Sequence, residues 1–228
     1  MREIVLDTET TGFDPAAGHR IVEIACVELL HHIATGRTYQ VYVNPKRDMP
    51  EDAFRVHGLS AEFLAGHPTF PEIIDDFLAF IGEDPLVIHN AEFDMRFLNA
   101  ELQWAGRAIL PMERALDTVA MARKRFPGAQ VNLDALCKRF VIDNSARDLH
   151  GALLDCELLA EVYLELRGGR QPGLELAREA ERGSRVAIAD RPIRAARPHA
   201  PSDAEKERHA AMLEKLSSPI WNDAKPER

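Results

Sequence analysis

A chain of 228 residues that is 46% hydrophobic and 29% charged can bury one well-formed core with material to spare, and it has the composition of a soluble globular protein. Its formal net charge of -9 excludes a generic basic nucleic-acid binder. The acidity sits in the body: residues 171–228 carry 11 Lys+Arg and 10 Asp+Glu, against 17 and 27 in residues 1–170.

An acidic body repels phosphates, so a nucleic-acid substrate would need metal ions or a partner to supply the attraction. Cys26, Cys137 and Cys156 are scattered and odd in number, which reads as reduced core thiols rather than a zinc site or disulfide framework. The chain starts directly on a strand, with no cationic-apolar leader and no apolar run of membrane-spanning length, so a cytoplasmic protein with no membrane partner is expected.

The first element is Ile4-Val5-Leu6-Asp7-Thr8-Glu9-Thr10-Thr11-Gly12, an apolar strand that ends in two carboxylates and a turn. Strand side chains alternate, so Asp7 and Glu9 share a face. Arg20 to Leu29 and Thr38 to Val43 read as two further strands, and their short connections favour an antiparallel meander. His31-His32 lies in the turn between them. A proline-bounded loop then leads to Val56-His57-Gly58-Leu59, and Ser60 caps a short helix.

Pro71 to Ile81 repeats apolar residues at helical spacing. Pro85 to Ile88 suits a buried parallel strand. His89-Asn90 follows, and then a helix from about Ala91 to Ala105, with Asp94 in its first turn and Phe93, Phe97 and Trp104 on or near one stripe. A short strand at Leu116-Asp117-Thr118, a helix ending near Phe126 and a helix capped by Asn132 come next. From about Ala152 to Leu166 the period is helical again. Asp155 stands in the first turns, His150 just ahead of it, and Gly168-Gly169 ends the helix.

This order predicts an α/β fold: a mixed sheet of three antiparallel strands followed by parallel strands, flanked by helices. It gathers Asp7, Glu9, Asp94 and Asp155 at one edge. Four carboxylates left bare would repel one another, and an all-oxygen set suits Mg²⁺ or Mn²⁺ better than zinc. Two such ions can clamp the attacking and leaving oxygens of a phosphoryl transfer. His150 has an ordinary pKa of about 6.5 and can take a proton from the attacking water, so the implied chemistry is phosphodiester hydrolysis.

Asp7-Thr8-Glu9-Thr10-Thr11-Gly12, His89-Asn90-Ala91-Glu92-Phe93-Asp94 and His150-Gly151-Ala152-Leu153-Leu154-Asp155 resemble the three exonuclease motifs of the DEDD superfamily. The histidine five residues before the last acid matches the His branch. Within that branch Gly18 to Ile24 and Val56 to Leu59 also resemble the proofreading (epsilon) subunits of bacterial DNA polymerase III, and the motifs span roughly residues 3–167. The resemblance implies a ribonuclease H-like fold and a 3′→5′ exonuclease releasing nucleoside monophosphates from single-stranded 3′ DNA ends. Two divalent cations would be held by Asp7, Glu9, Asp94 and Asp155, with His150 as general base. Thr11, His57 and Phe93 match positions beside the terminal nucleotide. Glu23 and Glu92 are left out of the site. A 3′ exoribonuclease of the same superfamily and a non-catalytic polymerase-clamp adaptor are the alternative readings.

The exonuclease domain is expected over residues 1–169. Gln171, Leu174 and Leu176 in residues 170–182 resemble a sliding-clamp-binding peptide, and residues 183–201 read as a flexible linker. Ser202-Asp203-Ala204-Glu205 is a capping-box signature that opens a tail over 202–228, with His209, Met212, Leu213 and Leu216 on one side of a helix and Trp221 beyond it. Its placement resembles a tail that binds the polymerase catalytic subunit.

Overall fold

A computed structural model describes residues 1–145, 151–169 and 200–217. The chain divides into two compact units, Met1–Glu175 and Leu176–Arg228.

In the first unit a five-stranded sheet runs in the order β3-β2-β1-β4-β5. The strands are β1 (Arg2–Thr10), β2 (Ile21–Leu30), β3 (Ile33–Tyr42), β4 (Leu86–Ile88) and β5 (Ala115–Asp117). The expected antiparallel meander is present: β1 pairs β2, and β2 pairs β3, in antiparallel register. The parallel half is present too, with β4 on β1 and β5 on β4. In the β1–β2 ladder the register shifts between Glu9 and Thr10. His31 and His32 make the β2–β3 turn, both at positive φ.

Alternation along β1 feeds two cores. Ile4 and Leu6 join Ile24 and Cys26 of β2 beneath α3 (Phe70–Ile81) and α4 (Ala91–Trp104). Val5 joins Ala25, Val27 and Leu29 beneath α5 (Thr118–Arg125), α6 (Leu133–Phe140) and α7 (Ala152–Leu166). Each fully buried Ile, Leu or Val of these layers stabilises the fold by about 1.5–3 kcal/mol relative to exposure. The three cysteines are buried free thiols.

Two expectations change. Residues ahead of Gly58 form a helix, α1 (Glu51–His57), rather than a loop, followed by α2 (Ala61–Leu64). Pro50 sits at the α1 N-cap, Glu51 and Asp52 fill its first turn, and Gly58 closes it in the left-handed conformation at φ 73. Trp104 is half-exposed and lies outside the core, with the Arg20 guanidinium 4.9 Å from its ring centre. Phe97, Leu98 and Leu102 carry the buried stripe of α4.

In the second unit α8 (Asp203–Leu213) starts with the expected capping box: the Ser202 N–H and hydroxyl donate to Glu205 at 2.8 and 2.7 Å. It buries no residue. Met212 and Leu216 are exposed, and Leu216 lies past the helix end. Among the described residues no helix is long and apolar enough to cross a membrane.

Candidate active site

Because Val5 points to the α7 side of the sheet, so do Glu3, Asp7 and Glu9. The helix facing them is α7, which brings Asp155, 5% exposed, to the end of the strand. One carboxylate oxygen from each of Asp7, Glu9 and Asp155 lies within 4.8 Å of the other two. Asp94 arrives from the opposite layer. It sits one turn into α4, whose N-cap position is Asn90, a residue at φ 74 whose N–H donates to Asp117 at 3.1 Å. The Asp94 Oδ1 accepts from the Thr8 N–H at 3.1 Å and from the Thr8 hydroxyl at 2.7 Å. It is therefore fixed to the even-numbered face of β1, beside the three-acid group rather than inside it.

The electrostatics match that crowding. The Asp7 carboxyl is pushed well above its ordinary value by burial and then by Asp94, Glu9, Asp155 and Glu23 in turn. Burial raises Asp94 to about 7, against the lowering effect of its bonds to Thr8. Buried carboxyls that resist ionising, Asp7 also because of its acidic neighbours, are what a divalent cation relieves, and an all-carboxylate set fits Mg²⁺ or Mn²⁺. The donor set therefore fits such an ion.

Next to the acids is a pocket of about 560 Å³ walled by Thr8–Phe13, His19, the α1 residues Asp52, Ala53, Val56 and His57, and Phe93. All three residues expected near a terminal nucleotide border it. Thr11 is fully buried, and its hydroxyl accepts from the Arg20 N–H at 3.0 Å and meets the His19 ring at 3.2 Å, so it shapes the wall. A Cβ at Gly12 would overlap the His19 ring, so the glycine lets that ring close on the turn. His57 is 6% exposed; its Nδ1 accepts from the Leu59 N–H at 3.0 Å, which puts the proton of the neutral ring on Nε2. Burial lowers the ring's pKa and the Thr10 backbone offsets this in part, yet Nε2 makes no well-formed hydrogen bond to the protein. Phe93 is half-buried and tilted on Phe97, their ring centres 5.0 Å apart.

His150, Gln171, Leu174, Leu176 and Trp221 lie outside the described residues. Met212, Leu213 and Leu216 belong to the second unit. Glu92 is exposed on α4. Glu23 is the residue that motif reading missed. It is 2% exposed, directly across from Glu9 in the β1–β2 register, and one of the charges acting on Asp7.

The family model described as "Exonuclease" matches residues 4–163. Over 179 residues the chain is 58% identical to the DNA polymerase III subunit epsilon of Rickettsia felis, covering 77% of this chain and 78% of that one. It is 47% identical over 187 residues to the Escherichia coli subunit of the same name, covering 79% and 76%. Among solved structures, exonuclease X in complex with 5′-overhanging duplex DNA is similar at a TM-score of 0.58 and 26% identity, over 72% of this chain and 90% of that one. The nuclease domain of 3′hExo, a DEDDh family member bound to rAMP, shares the fold at a TM-score of 0.63 and 20% identity over the same shares.

Proposed function

The chain belongs to the exonuclease family, and from that premise we propose that it is the proofreading 3′→5′ exonuclease of a replicative DNA polymerase, removing mispaired terminal nucleotides as nucleoside 5′-monophosphates. One observation carries this reading: three carboxylates from two distant chain segments converge within 4.8 Å beside a pocket of nucleotide size.

Asp7, Glu9, Asp94 and Asp155 would hold two divalent cations, Mg²⁺ or Mn²⁺. When bound, such a pair stabilises the charge that develops on the attacking and leaving oxygens of a phosphodiester. The rest of the work falls to the chain. Thr8 orients Asp94 through two hydrogen bonds. Phe93 offers a ring on which the terminal base can stack. The His57 Nε2–H offers a donor to an acceptor on that nucleotide, which supports a binding role for the histidine. His150 takes a proton from the attacking water as general base.

Residues 1–169 form the exonuclease domain on this reading. Gln171, Leu174 and Leu176 within 170–182 engage the sliding clamp, 183–201 serve as tether, and Met212, Leu213, Leu216 and Trp221 within 202–228 dock on the polymerase III catalytic subunit in the cytoplasm. Tethering raises the effective concentration of the nuclease at the primer end, so an acidic body needs little DNA affinity of its own.

The test is digestion of paired, mispaired and single-stranded 3′ DNA ends, and of matched RNA, with and without Mg²⁺ or Mn²⁺. Frayed DNA ends are cut fastest, only with ions, and yield monophosphates. Intact DNA ends in the presence of ions, or a preference for RNA, would overturn the proposal. Truncation after Gly169 leaves cleavage in place and removes co-purification with the polymerase.

A further inference from the structure

We propose that Glu23 is a positioning residue: its carboxylate, reaching across from β2, caps the helix that carries Asp155 and sets where that acid stands relative to Asp7 and Glu9. The inference deepens the metal-dependent reading above and rests on it.

Helix α7 cannot cap itself. Its N-cap is Gly151, in extended backbone with no side chain to offer. The first helical residue, Ala152, is completely buried, so its N–H is closed off from solvent. An amide left unsatisfied there would bear the full cost of its lost hydration. The acceptor comes from another element: Glu23 Oε2 receives the Ala152 N–H at 3.3 Å. The other Glu23 oxygen receives Gln40 Nε2 of β3 at 2.8 Å, and the same amide reaches the Tyr42 hydroxyl at 3.3 Å. A single buried carboxylate thus joins β2, β3 and the start of α7.

That start is one turn from the chemistry. The Asp155 N–H closes the first helical turn on the Gly151 carbonyl at 3.0 Å, so any slip of the helix end moves the Asp155 carboxylate with it. The motif residue His150 is joined directly to Gly151. Glu23 itself stands opposite Glu9, so strand and helix are referenced to the same cross-strand pair. With both oxygens engaged, Glu23 supports the acids that face the ion instead of joining them. Supporting groups of this kind are typically worth 10–100-fold in metal affinity or activity.

The full chain and its Glu23→Ala and Glu23→Gln variants decide the matter through three readouts. These are amide exchange in the first turn of α7 without metal, Mn²⁺ binding by calorimetric titration, and kcat on single-stranded DNA. Glu23→Ala speeds first-turn exchange about tenfold, as loss of one buried hydrogen bond implies. It also weakens Mn²⁺ binding and lowers kcat by roughly 10–100-fold. Glutamine keeps an oxygen for Ala152, and the Gln40 amide can turn to accept from it, so Glu23→Gln returns all three to within about threefold of wild type. Wild-type exchange and Mn²⁺ affinity in Glu23→Ala would overturn the proposal. So would a Glu23→Gln protein as impaired as Glu23→Ala, since charge and not capping would then be responsible. Should Glu23→Ala fail to fold, Gln40→Ala takes its place, and unchanged exchange and Mn²⁺ affinity there count equally against the idea. The exchange readout uses no nuclease assay, so an inactive wild-type protein would count against the function and leave the positioning role to be judged separately.

Discussion

Strand β1 carries acids on one face at both ends, and the protein treats them in opposite ways. At the start, Glu3 is 1% exposed and fully provided for: it accepts from the Tyr163 hydroxyl at 2.6 Å and pairs with His32 at 2.5 Å. On the other face of the sheet, Glu28, which stands across from Ile4, is held below its ordinary pKa chiefly by its bond to Arg2, and then by Thr35 and Arg37. At the other end the groups acting on Asp7 are four more carboxylates, every one of which pushes it up. The same helix faces both ends. Asp155 and Tyr163 are eight helical residues apart, about 12 Å, and Glu3 and Asp7 are four strand residues apart, about 13–14 Å, so α7 lies along β1 and meets both. The lesson is that burial of an acid alone says little about function. An acid given donors by its own chain holds the fold together, whereas acids given other acids are a place for a cation.

The sharpest way to break this contrast is Asp7→Ala, which abolishes cleavage while the metal-free protein melts no lower than wild type, because repulsion has been removed. Measurable turnover in that variant would refute the ligand assignment. His150→Ala keeps the acids and loses about 10²–10⁴-fold in kcat, the usual worth of a general base; single-turnover digestion reads this directly. At the opposite end Glu3→Ala strands Tyr163 and His32, costs about 1–3 kcal/mol and lowers the melting temperature by several degrees, with kcat per folded molecule unchanged. A fall in kcat would show that the two ends are not separable.

The smallest effect is a pH dependence. The folded Asp94 carboxyl titrates at about 7 and Asp7 is raised as well, above an ordinary value of 3.8 for each. Between those values the folded state binds more protons than the unfolded state, so metal-free stability falls as pH rises from about 4 to about 7. Saturating Mn²⁺ flattens that slope. Melting curves across this window, with and without the ion, check both halves of the statement.

Much of the site could be read from residue spacing because it is local. Alternation placed Asp7 and Glu9 together, and helical period placed Asp94 and Asp155 each within a first turn. Three features were not readable, each for a physical reason. Helix α1 exposes Phe54 and Val56 and buries only His57, so it carries no apolar period, although it forms one wall of the pocket. Trp104 sits on the apolar stripe by count but ends the helix, where Arg20 and not the core receives it. Glu23 depends on cross-strand register, which is a property of two segments at once and not of either alone.

The alternation of β1 between two layers limits how this protein can vary. A strand whose every second side chain belongs to a different layer behaves like a toothed rack: losing one tooth between Ile4 and Asp7 would send both acids into the layer that now receives Leu6 and Thr8. Substitutions here can be graded by chemistry, but insertions and deletions cannot. The fixed quantity in this strand is therefore its length as much as its letters.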